Sequence, residues 1–221
     1  MENIVIATLK SWNKTNAENF DYLNKYIITK KEELTFEKLT QIKPKYVFFP
    51  HWSYIIPKNI YENFECIVFH MTDLPFGRGG SPLQNLISSG IYETKISAIK
   101  VNEGIDTGDV YFKENLSLYG SAEEIYMRAS EIIFNKMIPY IIKNNPQPVP
   151  QTGVATTFNR RKPESSEITE NMLLKQIYDQ IRMLDAEDYP DAFIKFGKYK
   201  LTFNRAKLVS DGIIADVKIM E

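Results

Sequence analysis

The chain has 221 residues, 43% of them hydrophobic and 25% charged, which is the balance of a globular protein with room for a substantial core. Lys plus Arg (27) nearly equals Asp plus Glu (28), and a net charge of −1 argues against bulk attraction to nucleic acid or to an anionic membrane surface. The single cysteine, Cys66, excludes an internal disulfide and a cysteine-based metal site. No apolar run is long enough to span a bilayer, and the first residues turn polar too soon for a signal peptide, so the expected compartment is the cytoplasm.

Asn3 to Leu9 (NIVIATL) reads as a short buried strand, and Asn13 to Tyr26 carries helix formers at helical spacing. YIITK is a second strand candidate, and TFEKLTQIK is a surface helix ending near Pro44. YVFFP (Tyr46 to Pro50) and ECIVFH (Glu65 to His70) are apolar strands. Strands alternating with helices predict βαβ units and a mostly parallel sheet. Met71 to Pro82 holds Pro75, Gly77, Gly79, Gly80 and Pro82 and reads as a loop, followed by a short helix closed by Gly90. TKISAIKV and DVYFKENLSL are two strands flanking the turn NEGIDTG. Ser121 and Glu124 form a capping box that opens an amphipathic helix to about Asn144, with Ile125, Ala129, Ile132, Ile133, Met137 and Ile141 on one stripe.

NNPQPVPQTG contains three prolines and reads as a linker over 144–153. It divides a catalytic domain at 1–145 from a small C-terminal subdomain at 146–221, which reads as one helix (Glu170 to Asp185) and two or three strands. The basic stretch KFGKYKLTFNRAK reads as a solvated strand edge, and KYKLTFNRAKL within it is a candidate pairing strand for a homodimer.

Ligands of open α/β sheets bind at the carboxyl ends of the strands, and His70 sits at such an end before a glycine-rich loop. Histidine titrates nearest neutrality, which suits it to acid–base work. GRGGSP lacks the spacing of a phosphate cradle, so its glycines serve tight turns or close backbone approach to a ligand. Asp106 and Asp109 flank Gly108, and each alone is an ordinary turn aspartate.

Together these elements are more specific: His70, Leu74-Pro75, Arg78-Gly79, Pro82, then Asp106-Thr107-Gly108. This combination resembles the 10-formyltetrahydrofolate-dependent formyltransferase family over roughly residues 1–145, and TFNRRKPES resembles the segment that follows its catalytic domain. The resemblance implies a Rossmann-like formyltransferase fold with a mostly parallel sheet and a C-terminal helix-and-strand extension. It implies His70 and Asp106 as catalytic residues, N10-formyltetrahydrofolate as cosubstrate and no metal. Phe49, His51, Trp52, Ile56, Val101, Gly104 and Asp106 are the residues expected to hold the folate, and Thr72, Arg78, Gly79, Arg182 and Tyr189 those expected to hold the acceptor. One departure stands out. The family has Asn two residues before the catalytic His, where this chain has Val68. A lost donor to the formyl oxygen would cost about 3 kcal/mol if nothing replaced it. Asn13, Ser53, His51 and Thr72 are the candidate substitutes.

FPHWSYIIP, FHMTDLPFGRGGSPLQNLI and IRMLDAEDYPDAFI further resemble small sugar N-formyltransferases of pseudaminic acid pathways and the formylation domain of some nonribosomal peptide synthetases. That resemblance implies a nucleotide-activated, CMP-linked amino sugar as acceptor, with no nucleic acid and no membrane as partners. The alternatives are a carrier-bound amino acid or glycinamide ribonucleotide as acceptor, or a non-catalytic folate-binding module. Methionyl-tRNA formylation is disfavoured by the net charge and the short tail.

Overall fold

The computed structural model describes residues 2–221. The chain runs β1 (Ile4–Ala7), α1 (Ser11–Asn19), β2 (Lys25–Ile28), α2 (Phe36–Ile42), β3 (Tyr46–Phe49), α3 (Lys58–Tyr61) and β4 (Cys66–His70). It continues through β5 (Arg78–Gly79), α4 (Pro82–Ser88), β6 (Glu93–Lys100), β7 (Val110–Ser117), α5 (Ala122–Ile132) and α6 (Ile138–Asn144). The last elements are β8 (Thr157–Phe158), α7 (Leu174–Arg182), β9 (Ala192–Phe196), β10 (Tyr199–Val209) and β11 (Gly212–Met220).

Two compact units share these elements. The first takes the chain up to Gly79, Thr94–Leu116 and Met127–Thr157. The second takes Gly80–Glu93, Ser117–Tyr126 and Phe158–Glu221. The division expected at residue 145 is therefore drawn elsewhere. The proline-rich segment belongs to the first unit, where Val149 exchanges backbone hydrogen bonds with Val110 at 2.8 and 2.9 Å.

The first unit is built on a six-stranded sheet in the order β2-β1-β3-β4-β6-β7. Strands β2, β1, β3 and β4 are parallel, and β6 runs antiparallel to β4, with His70 opposite Ser97. A parallel sheet must be covered on both faces, so its strands are apolar throughout rather than alternating. Every residue of β1 and β3 is buried. Val5, Ala7, Val47, Phe49 and Cys66 share one cluster with Leu34, Leu39, Ile56 and Ile60 from the crossovers. Each buried Val, Leu, Ile or Phe among them stabilises the fold by about 1.5–3 kcal/mol relative to exposure.

Two expected helices differ in extent. α1 stops at Asn19 because the Lys25 ammonium takes the carbonyls of Glu18 and Phe20, leaving residues 20–24 outside the helix. The long helix opens as expected, with Glu124 N–H donating to Ser121 Oγ and Ser121 N–H to Glu124 Oε2. It then widens into a π-helical turn at Ile133–Met137 before α6. Pro139 stands in this region without an N–H and crowds the carbonyl four residues back, which a wider turn accommodates.

In the second unit β9, β10 and β11 form an antiparallel sheet in the order β11-β10-β9, with a register shift between Asn204 and Lys207. The extent of α7 is shorter than the expected helix. Its last turn is buried all round, at Asp179, Gln180, Ile181 and Arg182. α4 contributes Leu83, Leu86 and Ile87 to the core of this unit. Gln84 Nε2 donates to Tyr126 Oη at 3.1 Å and to the Met183 carbonyl at 3.0 Å. No helix is long and apolar enough to cross a membrane among the described residues.

Candidate active site

The parallel strands deliver their last residues to one edge of the sheet, and there Thr8 Oγ1 donates to the Pro50 carbonyl at 2.8 Å. β4 ends on His70, which is 8% exposed. Both ring nitrogens face oxygen: Nε2 lies 2.8 Å from the Gly77 carbonyl and Nδ1 lies 3.3 Å from Asp106 Oδ2. A neutral imidazole has one N–H and serves one of these acceptors, whereas an imidazolium serves both. The ring is thus held between two oxygens, one on each nitrogen.

Asp106 is held from two directions. Its Oδ2 also accepts the Gly79 N–H at 2.9 Å. Its backbone has φ +54°, a left-handed conformation that costs a residue with a side chain of order 1–3 kcal/mol and persists only where neighbours enforce it. Within the same turn, Asn102 Oδ1 accepts from Gly104 N–H at 3.1 Å and from Thr107 Oγ1 at 2.9 Å. Gly108 is required by space, since a Cβ there would lie 1.6 Å from the Lys100 carbonyl oxygen.

The loop after His70 is fixed along its length. Ser97 Oγ donates to the Thr72 carbonyl at 2.7 Å, and Lys113 Nζ reaches Asp73 Oδ1 at 2.6 Å and the Leu74 carbonyl at 2.5 Å. Lys113 and Lys95 hold the Asp73 carboxyl below the usual range, against a burial effect that alone would raise it. The Leu74–Pro75 peptide is cis. Gly77 N–H donates to Thr156 Oγ1 at 2.7 Å, and Arg78 N–H to the Thr156 carbonyl at 2.9 Å. Arg78 donates through Nε and Nη2 to Gln151 Oε1 at 3.2 and 2.7 Å, and Gln151 Nε2 donates to the carbonyls of Asp106 and Gly108 at 2.9 and 2.8 Å. Gln151, Thr156, Ser97 and Lys113 were not singled out by sequence. The first two lie in or beside a segment whose prolines mark it as a connector.

The stretch after β3 has the character of a ligand shelf. His51 has φ +51°, and the ring of Trp12 meets its ring edge-on at 5.9 Å between centroids. Burial, with the nearby Lys10 ammonium adding to it, pushes the His51 imidazole down to about 4. Trp52 packs edge-on against Phe49 and Tyr54, both at 5.8 Å between centroids. Trp52 Nε1 and Asn13 Oδ1 are buried without a hydrogen-bond partner in the protein. Unpaired buried groups cost about 1–3 kcal/mol each, which a flat heterocycle carrying donors and acceptors, such as a pterin, would repay. Of the other residues expected to hold the folate, Phe49 and Ile56 are buried in the core cluster and offer main chain rather than side chain. Val101 packs against the same cluster and Gly104 lies on the exposed turn.

The residues expected to hold the acceptor are divided. Thr72, Arg78 and Gly79 belong to the fixed loop, with Thr72 Oγ1 at 3.4 Å from the Gly77 carbonyl. Arg182 does not have the free guanidinium expected of a ligand-binding residue. It is 2% exposed and donates to Asp179 Oδ1 at 2.7 Å and to the carbonyls of Leu118 and Gly120 at 2.7 and 2.9 Å. Tyr189 stacks on Tyr126 at 5.4 Å, and their hydroxyls share a hydrogen bond of 2.8 Å. Val68 packs with Leu74, Ile99 and Val110 and brings no donor to the site.

The first unit thus holds a His–Asp pair at the end of β4 and, after β3, an aromatic stretch with orphaned polar atoms. A sequence profile described as "Formyl transferase" matches residues 10–133, and one described as "Methionyl-tRNA formyltransferase, C-terminal domain" matches residues 163–220. The chain is similar to the solved structure titled "Methionyl-tRNA formyltransferase from Clostridium thermocellum", at 63% identity and a TM-score of 0.98 over 100% of both chains. It is 30% identical over 162 residues to the methionyl-tRNA formyltransferase of Caldicellulosiruptor saccharolyticus, covering 70% of this chain and 52% of that protein. The chain thus spans about half the length of that curated relative. A structure of HypX from Aquifex aeolicus, in complex with tetrahydrofolic acid, shares the fold at 16% identity and a TM-score of 0.77, over 93% of this chain and 38% of that one.

These names correct one expectation. A small nucleotide-sugar substrate with no nucleic acid does not agree with relatives named for methionyl-tRNA. The chain belongs to the formyl transferase family.

Proposed function

We propose that the protein transfers a formyl group from N10-formyltetrahydrofolate to a primary amine, and that this amine is the α-amino group of methionyl-tRNA. The observation that carries the reaction is His70, set between Asp106 Oδ2 and the Gly77 carbonyl at the strand end. Support for the acceptor comes from the names of similar proteins. The C-terminal sheet also sets Lys200 of β10 opposite Lys195 of β9, two neighbouring cations of the kind that meet phosphates, with Lys195 also paired to Glu167.

In this reading the neutral acceptor amine adds to the formyl carbon, and the carbon–N10 bond breaks. The amine loses a proton and N10 gains one, so the reaction needs a group that shuttles a proton without consuming it. His70 takes that part, and Asp106 orients the ring and stabilises its charged form. The positive charge of that imidazolium, whose N–H groups face Asp106 and the Gly77 carbonyl, offsets the negative charge that develops on the formyl oxygen, where Val68 supplies nothing. Phe49, His51 and Trp52 form the shelf for the pterin. The products are tetrahydrofolate and a formamide.

The test is incubation with N10-formyltetrahydrofolate and a panel of amines, read by mass spectrometry for the gain of one formyl group. The panel holds methionyl-tRNA, free methionine, glycinamide ribonucleotide and CMP- and UDP-linked amino sugars. Formylation of methionyl-tRNA is the expected result. Formylation of an amino sugar with methionyl-tRNA untouched would overturn the acceptor, and donor binding without turnover on any amine would overturn the reaction.

A further inference from the structure

We infer that Gln151 is a positioning residue of the transfer reaction, the tie that sets Asp106 against His70; this rests on the formyl-transfer reading above. Its side-chain amide uses its full hydrogen-bonding capacity. Oε1 accepts twice from Arg78, at 3.2 and 2.7 Å, and Nε2 donates twice, to the carbonyls of Asp106 and Gly108, at 2.9 and 2.8 Å. These four bonds fix which end of the amide faces which loop.

The two loops joined in this way are the ones that grip His70. The loop bearing Arg78 supplies the Gly77 carbonyl to Nε2 and the Gly79 N–H to Asp106. The turn bearing Asp106 supplies the carboxylate to Nδ1. Asp106 sits at φ +54°, which its side-chain contacts alone do not enforce, because they leave its carbonyl free to swing. Gln151 holds that carbonyl and the one two residues on. Thr156, five residues further, receives the Gly77 N–H and the Arg78 N–H. The segment 151–156 therefore forms a third wall that references both loops to one piece of chain. A plain structural staple would show itself in stability. A positioning residue shows itself in turnover and in the His70 hydrogen bond.

Two variants separate the halves of the amide. Gln151→Glu keeps the Oε1 acceptor for Arg78 but replaces the Nε2 amide nitrogen, and with it both donated bonds, by one carboxylate oxygen facing the Asp106 and Gly108 carbonyls. Gln151→Met keeps reach and volume and loses everything polar. If the hold on the Asp106 turn is what matters, both variants lower kcat by about 10- to 100-fold, the scale of a misplacement near 1 Å, while KM for the folate donor changes little. A wild-type kcat in Gln151→Glu would mean that Gln151 only anchors Arg78 and would overturn the inference.

A second readout does not depend on turnover. The chain has two histidines, so the imidazole signals are assigned with His51→Gln and His70→Gln. Wild type is expected to show a downfield Nδ1–H proton of His70 that broadens or vanishes in both Gln151 variants. An unchanged resonance in both would overturn the inference. Wild-type protein that formylates no amine would instead overturn the formyl-transfer reading, and the resonance would still decide the role of Gln151.

Discussion

Gly108→Ala tests how finely the Asp106 turn is set. The added Cβ would lie 1.6 Å from the Lys100 carbonyl oxygen and 2.8 Å from the Lys100 carbonyl carbon. Lys100 is anchored in β6, opposite Ile67 of β4, so the sheet does not yield. To bring the contact out to the 3.4 Å of an ordinary approach, the turn must retreat by about 1.8 Å. Asp106, two residues away, meets His70 Nδ1 at 3.3 Å and Gly79 N at 2.9 Å, and such a shift breaks both contacts. A misplacement of about 1 Å can cost roughly 100-fold in rate, so kcat should fall by about 100-fold or more. The rest of the sheet has no part in the clash, so the thermal midpoint should fall by only a few degrees. The assay is steady-state formyl transfer at saturating donor, with thermal unfolding beside it. Turnover near wild type in a folded Gly108→Ala protein would refute the claim that the position of this turn controls the reaction.

Other outcomes follow from groups outside the reacting pair. Arg182→Met removes the partner of buried Asp179 and should destabilise the fold by about 3–5 kcal/mol, lowering the thermal midpoint by roughly 10 °C without raising KM for the acceptor; a raised KM at unchanged stability would restore it to the ligand-binding set. His51 is neutral in the fold down to about 4, whereas the unfolded chain protonates it near 6.5. The unfolded state thus binds more protons between those values, so stability is lost as pH falls from 6.5 toward 4, by on the order of 3 kcal/mol at the acid end. Urea midpoints at pH 7 and pH 4.5 should differ less in His51→Gln than in wild type. Burial pushes the Cys66 thiol up to about 12, so a thiol reagent should label the native protein only at the rate of unfolding.

Much of this architecture was legible in the residues. The apolar runs IVIA, YVFF and CIVFH read as strands, and they are strands, the first two buried at every residue. His70 and Asp106 were paired through the motif between them, and the fold brings Nδ1 to 3.3 Å of the carboxylate. What escaped notice depends on long-range contact. Gln151 stands among prolines, and proline density signals a connector, not a hub between two loops 45 and 73 residues away. Arg182 was placed in the acceptor site because nothing in a helical sequence says which arginine turns inward; its buried partners Asp179, Leu118 and Gly120 are visible only in the fold. The turn at Ile133–Met137 follows from Pro139, and a hydrophobic stripe passes through such a turn without a break in pattern.

In the proposed reaction His70 and Asp106 move the proton that formyl transfer requires. The most direct measurement is single-turnover formyl transfer by wild type, His70→Ala and Asp106→Asn, with binding of the folate donor followed in the same preparations. Losses of about 100- to 10,000-fold in the transfer rate are expected for each variant, with donor binding retained. Transfer near the wild-type rate in both variants would contradict that role.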